Sequence, residues 1–139
     1  MNQPAHPCAS PGIAGAAVIG VGLDLVDIPR FAAVLARRPS MSERLFTPSE
    51  RAYASCLANP APSLAARFAA KEAVMKAMAT GLGAFRFDEV EVDRQPSGEP
   101  RLLLSGRAAD MAGARGICQW LLSLTHTSTT AAAIVLALA

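Results

Sequence analysis

Aromatic side chains are scarce in this 139-residue chain: Phe, Trp and Tyr together make up 5% of it. Hydrophobic residues nevertheless reach 52%, so Ala, Leu and Val must supply the core. A core of that kind packs thinly per residue and favours burial against further copies of the chain. Cysteine is also sparse. Cys8, Cys56 and Cys118 form no C-x-x-C pair and no metal-ligand spacing, and so scattered an odd set reads as reduced thiols of the cytoplasm. No apolar run reaches the roughly 18 residues of a membrane span, so no membrane role is expected. The net charge is only +2, too small to argue for nucleic acid by electrostatics alone. Residues 1–17 hold no Lys or Arg and so lack the basic start of a secretory signal. Their prolines and glycines read as a flexible tail ahead of a single domain over 18–139. The chain has no internal repeat.

The element pattern is mixed. Residues 17–26 are β-branched and apolar enough for a strand. Pro29 suits the first turn of a helix running to about Arg38, which Pro39 and Ser40 end. Thr47, Pro48 and Glu50 make a helix start with a capping box. Ser63 is expected to cap a longer helix over 64–79, closed by Gly81 in a left-handed conformation. Strands follow at 85–93 and 100–104 about a Pro96-Ser97-Gly98 turn, then a short helix at 107–114 and a hairpin from 119–125 and 131–139. This order predicts an α+β domain with a largely antiparallel sheet and a long helix packed on it.

Three polar residues do not fit their surroundings. Asp24 shares one strand face with Gly20, Gly22 and Val26. An acid there is costly unless paired, and the glycines would leave room for a ligand. The plainer alternative is an acid that marks the strand end and caps a turn. Glu72 lies within the stripe of Leu64, Phe68, Met75 and Ala79, with Lys76 one turn on and Arg67 nearby. An ordinary surface pair with Lys76 is the alternative, worth only a few tenths of a kcal/mol. Two carboxylates with waters and substrate phosphates are the usual way to hold Mg²⁺, which predicts a phosphate-containing substrate. His126 sits at a polar hairpin tip, where it could meet a phosphate or carry a proton, although a lone loop histidine is more often idle.

V-G-L-D-L-V-D-I (21–28), R-F-A-A-K-E-A-V-M-K (67–76) and W-L-L-S-L-T-H (120–126) occur in that order. Together they resemble the signatures of the 4′-phosphopantetheinyl transferase family, in its small, single-domain holo-acyl-carrier-protein synthase branch. F-D-E-V-E-V (87–92) and G-E-P-R-L (98–102) are similar to that branch's middle hairpin, and the resemblance covers about 19–138. It implies Asp24 and Glu72 as Mg²⁺ ligands and Lys76 beside the phosphates and reacting centre. It implies coenzyme A contacts, including the 3′-phosphate, at Arg67, Lys71 and His126, with Thr125 where the family usually has serine. It implies Arg30 at the interface with an acyl carrier protein, and a homotrimer with active sites between subunits. Val26 stands where the larger, monomeric branch has a third acidic ligand, which supports the small branch.

The implied reaction is phosphoryl transfer, in which positioning and charge neutralisation do most of the work. A carrier serine attacks the β-phosphate of coenzyme A and 3′,5′-ADP leaves, as in the priming step of fatty acid biosynthesis. Glu72, Asp24 and a metal-held water are all left as acceptors of the serine proton. Arg30, Arg37 and Arg38 could steer an acidic carrier, or be a solvated helix face. Two alternatives stand beside this reading: a non-catalytic coenzyme A or nucleotide binder, and a transferase dedicated to a secondary-metabolic carrier.

Overall fold

The computed structural model describes residues 15–139, so the tail expected over 1–17 lies almost wholly outside the described residues. The chain enters on β1 (Val18–Asp27) and passes straight into α1 (Ile28–Arg37). Asp27 Oδ1 accepts the Arg30 N–H at 2.8 Å and so caps α1, with Pro29 in its first turn. A short helix α2 (Ser40–Leu45) follows where Pro39-Ser40 was expected only to stop α1. Pro39 serves instead as its N-cap residue. α3 (Pro48–Ser55) opens with the expected box: Glu50 N–H donates to Thr47 Oγ1, and Thr47 N–H donates to Glu50 Oε2.

The 17-residue α4 (Ala61–Ala77) begins before Ser63, because Pro60 is the N-cap residue and Pro62 is tolerated in the first turn. Its end also differs from expectation. Ala79, not Gly81, takes the left-handed conformation, at φ 53°. Thr80 N–H donates to Met75 O and Ala79 N–H to Lys76 O, and this pair of bonds places the left-handed residue two positions after the helix. The strand expected over 85–93 starts later, after a 3₁₀ turn at Phe87–Glu89. β2 (Val90–Arg94), β3 (Pro100–Leu104), α5 (Gly106–Ala114), β4 (Gln119–His126) and β5 (Thr130–Leu138) complete the order.

Every strand pairing is antiparallel, in two sheets rather than one: β1-β5-β4 and the β2-β3 hairpin. α4 lies across β1 and β5. It is buried nearly all round, with Ala65, Ala69, Ala70, Ala73 and Val74 wholly enclosed. The β1 glycines explain how closely it lies. A Cβ on Gly22 would fall 1.8 Å from Ala73 O, and one on Gly20 2.2 Å from Ala77 O. Their room is taken by the α4 backbone, not by a ligand as the sequence suggested.

The two faces of the β1-β5-β4 sheet invert the usual assignment. Gly22, Asp24 and Val26 face α4 and are buried. The apolar residues between them are open: Val21 is 58% exposed, Leu23 57% and Leu25 66%. Across the sheet the outer rows run Leu25–Ala132–Thr125, Leu23–Ile134–Ser123 and Val21–Leu136–Leu121. Among the described residues no helix is long and apolar enough to cross a membrane. Cys56 is a free, exposed thiol.

Candidate active site

The close seat of α4 on β1 brings three of the expected residues together. Lys76 Nζ donates to Asp24 Oδ1 at 2.9 Å and to Leu23 O at 2.8 Å. Asp24 is 8% exposed, and its other oxygen, Oδ2, is buried with no hydrogen-bond partner. The half-buried Glu72 carboxyl adjoins it. Burial, then the negative charge of Asp24 and a hydrogen bond that only a protonated pair can make, push Glu72 up to about 7, with Lys76 pulling the other way. Two acids forced together, one with an orphaned oxygen, fit a divalent cation: it would replace the shared proton and satisfy Oδ2. No cluster of three or more His, Cys, Asp or Glu suited to a metal occurs among the described residues, so water and substrate oxygens would complete the shell.

Arg67, Thr125 and His126 meet elsewhere, in a cavity of about 440 Å³ between α3, α4, the β2-β3 hairpin and the edge strand β4. Arg67 is 6% exposed and donates to Ser63 Oγ and O, but its Nε is buried without a partner. Burial lowers the affinity of its guanidinium for the proton, and Glu50 partly offsets that. Its guanidinium lies 4.6 Å from the centre of the Tyr53 ring, and Arg94 lies 5.6 Å from the same ring while donating to the Tyr53 hydroxyl. Among the described residues neither arginine has an acid within ion-pair distance. His126 Nδ1 lies 3.2 Å from Thr127 O. A carbonyl only accepts, so Nδ1 carries the hydrogen in this contact and Nε2 is the acceptor nitrogen of the neutral ring. Two guanidiniums outside any direct ion pair, beside a histidine, have the chemistry to take a phosphate. Sequence reading missed Tyr53 and Arg94, because a lone tyrosine and a hairpin arginine carry no motif.

Lys71 is a correction. Expected to touch coenzyme A, it is wholly buried. Its ammonium donates to Glu50 Oε2 at 2.8 Å, to Phe87 O at 3.0 Å and to Val90 O. All three donors are spent inside the protein. Burial lowers its pKa, and the charge and hydrogen bond of Glu50 pull it back. Arg30 is exposed on α1, just past the end of β1, with its side chain making no hydrogen bond or ion pair to the described residues.

Residues 20–135 match the family model described as the 4′-phosphopantetheinyl transferase superfamily. The chain belongs to that superfamily. As a phosphopantetheinyl transferase it is an enzyme that moves a substituted phosphate group. It is similar to holo-[acyl-carrier-protein] synthases of Frankia casuarinae, at 48% identity over 87% of this chain and 98% of the relative, and Moorella thermoacetica, at 41% over 86% and 93%. A Helicobacter pylori holo-[acyl-carrier-protein] synthase solved in complex with coenzyme A superposes with a TM-score of 0.74, at 28% identity over 84% of this chain and 98% of that one. In a transferase of this superfamily, a carboxylate pair and a separate guanidinium cavity suit a donor that carries a diphosphate and a further phosphate. The two lie apart on α4. Glu72 comes five positions after Arg67, which turns their side chains about 140° around the helix axis.

Proposed function

We propose that the chain is a holo-acyl-carrier-protein synthase, transferring 4′-phosphopantetheine from coenzyme A to a serine of an apo-acyl carrier protein with Mg²⁺ and releasing 3′,5′-ADP. The observation that carries this is the orphaned Asp24 oxygen against Glu72, with Lys76 already seated on the other oxygen. Asp24 and Glu72 would hold the metal, which when bound supplies positive charge to the diphosphate. Lys76, half exposed, neutralises a phosphate oxygen as charge builds on the departing ADP. The serine oxygen bonds to the β-phosphorus as the bond from that phosphorus to the oxygen bridging to ADP breaks. The serine proton must leave, and Glu72, half-buried where Asp24 is enclosed, is the carboxylate open to it. Arg67, Arg94, Thr125 and His126 bind the 3′-phosphate end of coenzyme A.

The active enzyme is read as a homotrimer with its sites between subunits. Val21, Leu23, Leu25 and Ile134 form a contiguous apolar face too exposed for a solitary chain. Thr125 lies at the end of that same face, so the guanidinium cavity of one subunit borders its neighbour. This supports a neighbour supplying the carboxylates that α4 turns away from its own cavity. Arg30 stands where an acidic carrier helix would dock, and its reversal to Glu should raise the KM for the carrier and leave that for coenzyme A nearly unchanged. The substrates place the enzyme in the cytoplasm, and 18–139 form its single domain.

Mass spectrometry of an apo-carrier incubated with the protein, coenzyme A and Mg²⁺ tests the reading. A gain of roughly 340 Da is expected. An unchanged carrier with coenzyme A still bound to the protein would make the chain a binder, and a panel of carriers separates fatty-acid from secondary-metabolic use.

A further inference from the structure

We propose that Glu50 and Lys71 are positioning residues for the guanidinium cavity: a buried ion pair that sets its three walls in register without touching a ligand. Both side chains are wholly enclosed. Glu50 Oε2 accepts from Lys71 and from Thr47 N–H at the start of α3, while Oε1 accepts from Val92 N–H on β2 at 2.8 Å. Lys71, on α4, holds the carbonyls of Phe87 and Val90 where the 3₁₀ turn enters β2. One pair therefore ties α3, α4 and β2 together. Those elements carry the cavity's arginines and the ring both of them approach: Tyr53 on α3, Arg67 one turn before Lys71 on α4, and Arg94 two residues after Val92 on β2.

The chemistry favours this over a role in packing alone. A buried pair is weak evidence for stability, since apolar replacements often do as well, but its fixed donors and acceptors specify one arrangement. Here every donor of Lys71 is used, and both oxygens of Glu50 hold backbone N–H groups of different elements. Sliding β2 along α4 would break two of these bonds at once. Arg94 and Arg67 would then no longer both lie over the Tyr53 ring.

The inference rests on coenzyme A being the donor, so binding and transfer are measured separately. Glu50→Gln, Lys71→Met and the double variant are compared with the wild type by calorimetric Kd for coenzyme A and by transfer kinetics, with folding checked by circular dichroism. Each single variant should weaken coenzyme A binding by about tenfold, and the double variant by no more than either single, because the pair acts as a unit. The kcat at saturating coenzyme A and the carrier KM should stay within about threefold of wild type. A direct ligand contact by Lys71 predicts otherwise: Glu50→Gln silent and Lys71→Met costly, which overturns the proposal. Unchanged Kd in both singles overturns it as well. If a single variant fails to fold, the double decides alone: weakened binding with kcat kept supports the proposal, and wild-type binding refutes it. A wild type that binds coenzyme A without transferring anything would sink the transferase reading and leave the Kd test standing.

Discussion

Substituting Gly22 by Ala tests how the fold makes the site. The new Cβ would lie 1.8 Å from Ala73 O and 2.7 Å from its carbonyl carbon. A carbon meets a carbonyl oxygen comfortably at about 3.3 Å, so α4 must retreat from β1 by about 1.5 Å. Helix backbone cannot swing aside as a side chain can, so the cost belongs at the upper end of overpacking, about 3 kcal/mol. That leaves a domain of ordinary stability folded, with its urea midpoint lowered by about 1 M or more. The same retreat would stretch the 2.9 Å bond from Lys76 to Asp24 beyond ion-pair range and part Glu72 from Asp24. Misplacement on that scale costs about a hundredfold in rate. Gly22→Ala should therefore lose transfer activity at a temperature where it is still folded, and its half-saturating Mg²⁺ should rise. A variant with wild-type stability and wild-type Mg²⁺ dependence would refute the close approach.

Other outcomes follow from the same contacts. Without metal, the Glu72 carboxyl sits at about 7 in the fold against 4.5 for a free one. The stability it contributes is present below pH 4.5 and lost as pH rises through 7. The EDTA-treated protein should therefore have a lower Tm at pH 8 than at pH 5. Glu72→Gln should flatten that trend, and half exposure keeps the effect modest. Ala79 holds a left-handed conformation at φ 53°, so Ala79→Gly should raise stability by about 1 kcal/mol in a denaturant titration. Arg94→Met should raise the KM for coenzyme A more than that for 3′-dephospho-coenzyme A. Equal losses with both donors would remove Arg94 from the phosphate site.

Much of this was legible in residue order. Alternation in β1 put Asp24 and Gly22 on one face, and the helix period put Lys76 one turn beyond Glu72; both relations hold in the fold. What could not be read was which face is covered. An apolar face of Val21, Leu23 and Leu25 looks like core by hydropathy, yet the glycine face is the one that receives α4, because only glycine lets helix backbone approach so near. Lys71 was misread for a related reason. Its neighbours in the motif meet the ligand-bearing faces, but its own partner, Glu50, is 21 residues away, and no local pattern announces that pairing. Glu50 was visible only as half of a capping box, with its second oxygen's bond to Val92 hidden by distance along the chain. Tyr53 and Arg94, 41 residues apart, were missed in the same way.

The most direct test of the account is the Mg²⁺ dependence of phosphopantetheine transfer by the wild type, Asp24→Ala and Glu72→Ala, with folding verified for each. The wild type should be silent in EDTA and restored by Mg²⁺. Both variants should stay folded and inactive across the titration, and should gain stability without metal, since removing either acid relieves the repulsion between them. Near-normal transfer by either variant at low Mg²⁺ would contradict the assignment of these two carboxylates as the metal site.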